Sequence, residues 1–292
     1  MPYNSPMTAD EKLVAILAAV QTDPGGRGLA RDPADNLFTA TAGDFQAACR
    51  VLAAHPVASV LTGFYIPTAD PPAFETDGPL GAAFLVRALI AAGGLGTEVG
   101  EPPVMQALQA GLAAASHANV SERHARHHRI NLERAGPAAD GKRYTMSGWD
   151  VTPYHNPRLD ESAGRAGSGE VTIGIGDGGN EVGMGKIPHE TVVRNIPNGD
   201  LIHCRVPTDH LIVAGVSNWG AYALAAGLFV LRGVMPPADL FDPDCERGIL
   251  EIMVREGPLV DGVTGQQTAT VDGLTWDEYA APLIRIREIL ES

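Results

Sequence analysis

VTIGIGDGGNEVGMGKIP, residues 171–188, opens as a strand and ends as something else. Val171, Ile173 and Ile175 alternate with Thr172, Gly174 and Gly176, the two-residue period of a strand. Gly178, Gly179, Gly183 and Gly185 then interrupt the chain, and each Gly inside a helix costs about 1 kcal/mol relative to Ala. Residues 177–186 are therefore expected as a tight loop. Glycine lets a backbone approach a ligand closely or take a positive φ. Asp177, Asn180, Glu181 and Lys186 on such a loop make a polar site at the end of a strand.

Outward from this stretch, strands alternate with helices. A capping-box pattern, Thr8-Ala-Asp-Glu11, opens a first helix with Leu13, Ile16, Leu17 and Val20 on one face. The loop Asp23–Gly28 ends it, and its Arg27 is expected to be solvated. A second helix is expected over 44–54 and a strand over 57–66. Asp77 is placed to cap an apolar helix that starts at Pro79 and runs through Ala92. A short strand and a helix near 104–115 follow the break at 93–96. His124 and His128 would share a helical face, as zinc ligands can, but no third ligand accompanies them, and a solvated edge is the expectation. Further strands are expected over 128–133, 201–206 and 211–216. Ser217 or Asn218 is a natural N-cap for a long apolar helix through about Leu231. Helices over 244–256 and 275–290 complete the pattern. This alternation indicates an α/β fold, a mostly parallel sheet flanked by helices in three layers, α/β/α. It is expected as one unit over 1–292, with the N-terminal helical segment 8–54 packed on it.

In such sheets ligands sit beyond the carboxyl ends of the strands, at a switch point of strand order. Four polar, Gly-bearing corners are expected on that rim: 75–79, 177–186, 217–220 and 261–265. Gly174-x-Gly176-x-x-Gly179 matches the dinucleotide fingerprint formally, but it lies past mid-chain and carries Asp177, which would repel a pyrophosphate. A P-loop is excluded, since Gly185-Lys186 precedes Ile187. Asp177 and Glu181 suit an ammonium group or a hard divalent cation, Mn or Mg. Lys186 and the glycine N–H groups suit a carboxylate or phosphate. Opposite signs on one loop favour a zwitterion such as an amino acid, or a metal-bridged anion.

Composition bounds the partners. Of 292 residues 45% are hydrophobic, enough for a sizeable core, and the formal net charge of −14 argues against nucleic acid and against an anionic membrane surface. Cys49, Cys204 and Cys245 are widely spaced and odd in number, which fits reduced thiols. Asp10 and Glu11 precede the first apolar run where a signal peptide would be basic. The expectation is a cytoplasmic protein with a small-molecule amino-acid substrate, with room for a homo-oligomer.

Residues 174–186, GIGDGGNEVGMGK, resemble the signature of the D-glutamate cyclase family, in its C-terminal domain and stand-alone bacterial relatives. ETDGP at 75–79, DHLIVAGVSNWGAYAL at 209–224, and VDGVTG with TVDGL over 260–274 match in the same order. The resemblance implies a hydro-lyase that closes D-glutamate to 5-oxo-D-proline with loss of water, or the reverse, and a mitochondrial matrix location for vertebrate relatives. It implies that Asp177 or Glu181 takes the ammonium proton or holds a divalent ion. Lys186, Asn180 and the N–H groups of Gly178 and Gly179 would stabilise the oxyanion. Asp77, with Gly78, and Ser217–Asn218 would orient the amino-acid end, Arg134 would clamp a carboxylate, and Asp261 would lie on the same rim. The alternatives are a non-catalytic module that binds an acidic metabolite or nucleotide, and a metal-dependent enzyme acting on phosphates.

Overall fold

A computed structural model describes residues 6–115, 128–160 and 170–292. Its elements begin with helices α1 (Ala9–Val20), α2 (Leu37–Ala40) and α3 (Asp44–Ala54). Strands β1 (Val57–Gly63), β2 (Tyr65–Ile66) and β3 (Ala73–Phe74) lead into α4 (Pro79–Ala91). Then come β4 (Leu95–Val99), α5 (Pro102–Ala114), β5 (His128–Arg134), α6 (Pro157–Asp160) and β6 (Thr172–Gly176). Helices α7 (His189–Asn195) and α8 (Gly199–Ile202) precede β7 (His210–Val213), and α9 (Ser217–Arg232), α10 (Pro243–Glu256) and α11 (Trp276–Glu291) end the chain.

Five strands form one parallel sheet in the order β4-β1-β5-β6-β7. The chain leaves β1 for β4 on one side and returns to β5 on the other, so a switch point lies between β1 and β5. β6 shows why this sequence makes this layering. Ile173 and Ile175 face the main core with Ile212 of β7, beneath α4 and α9. The alternate residues, Gly174 and Gly176, face the opposite side. There a Cβ on Gly174 would lie 2.8 Å from Val182 O, and one on Gly176 would lie 2.8 Å from Met184. The glycine face lets the returning loop lie directly on the sheet, and Leu211 and Val213 of β7 join a second core on that side with Val192 of α7 and Ile196 just past its end. Helices and loops thus cover both faces, giving the three α/β/α layers. α1 and α3 pack on α9, and the apolar sides of α10 and α11 close the main core.

Two expectations about elements are corrected. Residues 201–206 are not a strand: α8 occupies their start, and Val206 O accepts from Gly183 N and Gly185 N (2.9 and 3.3 Å), pinning the glycine loop instead of joining the ladder. The strand expected over 57–66 ends at Gly63, whose φ of +122° turns the chain into the small β2–β3 ribbon. His128 is buried at the start of β5, while His124 lies outside the described residues.

Candidate active site

Beyond the carboxyl ends of β1, β5 and β6 lies a cavity of ≈ 350 Å³. Among the described residues its lining includes five carboxylates, from Glu75, Asp77, Glu133, Asp177 and Asp272, and a single basic side chain, Arg27. All five acids are buried. The corner 75–79, the glycine loop and the 261–265 turn therefore meet as expected, and the corner at Ser217 supports them from behind.

Each acid is held by a local device. Asp77 does not cap its own helix α4. Its carboxylate accepts from Ser217 N (2.9 Å) and Asn218 N (2.8 Å), the first turn of α9, as well as from Gly78 N. Asn218 returns the favour: its Oδ1 accepts from Gly78 N (2.9 Å) and Gly81 N (2.8 Å) at the start of α4. The two helices cap each other crosswise, which brings both positive N-termini to one point. Gly78 is required there, because a Cβ would lie 2.4 Å from Thr62 Oγ1 at a φ of +93°.

Glu133 sits where the β1–β5 register shifts, with a φ of +44° that few non-glycine residues adopt. This bulge turns its carboxylate into the cavity, and Ser217 Oγ donates to it. Glu181 lies behind the glycine loop and accepts from Asp177 N (2.7 Å), Gly178 N (2.6 Å) and Gly179 N (2.8 Å). Those N–H groups are therefore committed to Glu181 and do not face a substrate oxyanion. Asn180 lines the cavity and donates to Tyr144 O.

Arg27 is not solvated. The Asp23 carboxylate accepts from Arg27 N, Gly28 N and Leu29 N, which folds the loop into a fixed turn. Arg27 Nη1 then reaches Asp177 Oδ2 (3.0 Å) and Gly215 O (3.1 Å), and Nη2 reaches Asp272 Oδ1 (2.9 Å). Asp272 Oδ2 is buried and makes no hydrogen bond.

Electrostatics follow from crowding. Burial pushes Asp177 well above the usual carboxylate range, Arg27 opposes that, and Asp272 and Asp77 add to it. Burial and the nearby Asp177 and Glu181 do the same to Glu133. Burial and Asp272 raise Asp77 to about 7 despite the N–H groups of Asn218 and Ser217. Glu75 and Asp272 are also raised, in each case mainly by burial. Burial alone would lower the pKa of Arg27, but Asp177 and Asp272 more than reverse it, so the guanidinium stays charged. Burial and mutual repulsion thus favour the protonated form of each acid, and their titrations are linked.

Three expected residues lie elsewhere. Lys186 Nζ is 2.6 Å from Asp44 Oδ2 and also donates to Asp209 O, away from the cavity lining. Arg134 is wholly buried, with Nη1 2.7 Å from Glu101 Oε2. Asp261 organises its own turn, accepting from Val263 N, Thr264 N and Gly273 N. Sequence reasoning missed Arg27, Glu75, Glu133 and Asp272 as site residues. Glu75 had a signal as the first residue of the corner 75–79, and in the structure it packs so closely on the 261–265 turn that a Cβ on Gly262 would meet its Oε2 at 1.7 Å.

Residues 16–287 match the family model described as D-glutamate cyclase-like, C-terminal. The chain belongs to that family. It is also 33% identical, over 327 aligned positions, to the human protein named D-glutamate cyclase, mitochondrial, and the alignment covers 96% of this chain and 52% of the human one. The chain thus spans about half the length of that relative. No helix among the described residues is long and apolar enough to cross a membrane.

Proposed function

We propose that this family member is a cytoplasmic hydro-lyase that interconverts D-glutamate and 5-oxo-D-proline. The observation that carries this reading is the set of five buried carboxylates around one arginine among the described lining residues, each with its pKa raised mainly by burial, at the strand ends next to a switch point. Ring closure needs the α-ammonium to lose two protons while its nitrogen attacks the γ-carboxyl carbon. It also needs one γ-oxygen to gain two protons and leave as water. A cluster of carboxylates with raised pKa can accept the first pair and supply the second. In this reading Asp177, the carboxylate shared by both groupings described below, takes the ammonium proton as the amine attacks. Glu133, whose pKa burial and the nearby Asp177 and Glu181 raise, is the group that donates to the departing oxygen. Arg27 draws one substrate carboxylate toward the floor, and Asp77 and Glu75 complete the anionic seat for the ammonium group.

The same acids fit a hard divalent cation. Carboxylate oxygens of Asp77, Asp177 and Asp272 lie within 4.8 Å of one another, as do those of Glu133, Asp177 and Glu181. The donors are all oxygen, and Asp272 Oδ2 has no partner. Mn²⁺ or Mg²⁺ held there would polarise the γ-carboxyl group as a Lewis acid.

The cluster is a poor seat for a nucleotide, whose phosphates five carboxylates would repel. Purified protein incubated with D- and L-glutamate, with and without Mn²⁺, should form oxoproline from the D enantiomer. No turnover together with tight nucleotide binding would sink this reading in favour of a binding module.

A further inference from the structure

The cavity changes character from floor to mouth. Asp77, Glu133, Asp177 and Asp272 are each less than a tenth exposed, whereas Trp149 and Val263, which line the same cavity, are 57% and 65% exposed. Phe64, Ile66 and Met146 continue the apolar lining. The backbone that carries Trp149 is pinned by a tight turn: Thr145 N donates to Trp149 O (2.9 Å), and Trp149 N donates to Thr145 Oγ1 (3.1 Å). The Asn180 amide ties that turn to the glycine loop through Tyr144 O. An exposed indole carried on a backbone-pinned turn at the rim of an acidic cavity marks a contact for an apolar part of a ligand.

Charge points the same way. Free D-glutamate brings one ammonium and two carboxylates. Arg27 answers one carboxylate, and among the described lining residues no second cationic side chain answers the other. A γ-carboxyl group carried as an amide has no charge to answer, and its amine half would extend toward the apolar rim. The volume of ≈ 350 Å³ lies within the range of about 300–1,000 Å³ typical of sites for ligands larger than a single amino acid.

We propose that this site also cyclises γ-D-glutamyl amides whose amine half is apolar or aromatic, and prefers them to free D-glutamate. The inference rests on the cyclase reading and changes only the leaving group. The α-nitrogen attacks the γ-carbonyl carbon, the ring C–N bond forms, and the C–N bond to the amine half breaks. Of the two protons lost from the ammonium group, one completes the departing amine. The other passes through the carboxylate cluster to that amine, if it is basic, or to solvent. Neither oxidant nor co-substrate is needed.

The test runs γ-D-glutamyl-p-nitroanilide beside D-glutamate on the purified full chain, with and without Mn²⁺, and follows both oxoproline and nitroaniline. Above the enzyme-free rate, the amide should give equal amounts of both products, with kcat/KM at least about tenfold above that for D-glutamate. Trp149→Ala and Val263→Ser, with the fold verified by circular dichroism, should each lower kcat/KM for the amide about tenfold and for D-glutamate much less. Turnover of D-glutamate without amine release from the amide would overturn the inference and leave the cyclase reading standing. So would equal losses on both substrates in the two variants. Turnover of neither substrate would remove the cyclase reading and this inference with it.

Discussion

Replacing Arg27 by Met removes the positive charge that faces five buried carboxylates while keeping much of the side chain's bulk. It breaks contacts of 3.0 Å to Asp177 and 2.9 Å to Asp272, and the hydrogen bond to Gly215 O. Removing one partner of a buried ion pair costs about 3–5 kcal/mol. The Arg27 side chain is 16% exposed, so the lower end applies, about 3 kcal/mol at pH 8. The cost must depend on pH, with a definite sign. Asp177 and Asp272 have folded-state pKa values above their unfolded ones, so the folded protein binds more protons. Their contribution to stability is fully present below the unfolded value of about 4 and is lost as pH rises through the folded values. Arg27 holds those folded values down, and without it they rise further. The variant therefore loses most at pH 8 and progressively less as pH falls, because protonation of the acids removes the charges that Arg27 offsets. Urea denaturation of the two proteins at pH 5, 6, 7 and 8 measures this directly. A difference that is constant across the range, or below about 0.5 kcal/mol at pH 8, would refute the reasoning.

Four further outcomes follow from the geometry. Asn218→Ala leaves Gly81 N without its cap and Gly78 N with Asp77 as its side-chain acceptor, and should lower stability by about 1–2 kcal/mol in the same urea assay. In a double-mutant cycle with Asp77→Ala, the two losses should fall short of additivity, because each residue caps the other's helix. Glu133→Gln should retain the fold by circular dichroism and lower kcat for oxoproline formation by about 10²–10⁴, with KM changed little. Lys186→Met should cost at most about 1 kcal/mol, as expected for a partly exposed ion pair, and oxoproline formation should stay within twofold of the parent.

The strand β6, the helices around it and the α/β class were legible because their signals are local: an Ile–Gly alternation, capping boxes and apolar periodicity. The glycines of the central loop also announced a close approach, and the approach turned out to be the loop lying on the sheet. The crosswise capping of α4 and α9 was not legible. Asp77 and Asn218 each stand beside a helix start that they could cap locally, and only the packing of the two helices exchanges the partners. Arg27 carries no periodic signal, and its partner Asp177 lies 150 residues away. Glu133 reads as one more residue of the strand HRINLE until the register shift turns it inward. Lys186 was drawn into the site by its nearness in sequence to Asp177, but the loop folds back over the sheet and delivers it to Asp44.

The most direct test of the central claim, that the carboxylate cluster around Asp177 adds and removes water at the γ-carbon, is to incubate the protein with 5-oxo-D-proline in H₂¹⁸O and examine the D-glutamate formed by mass spectrometry. The account predicts one ¹⁸O atom, in the γ-carboxyl group, formed by the parent protein and lost with Asp177→Asn at an intact fold. Unlabelled product, or equal labelling by the Asp177→Asn variant, would contradict it.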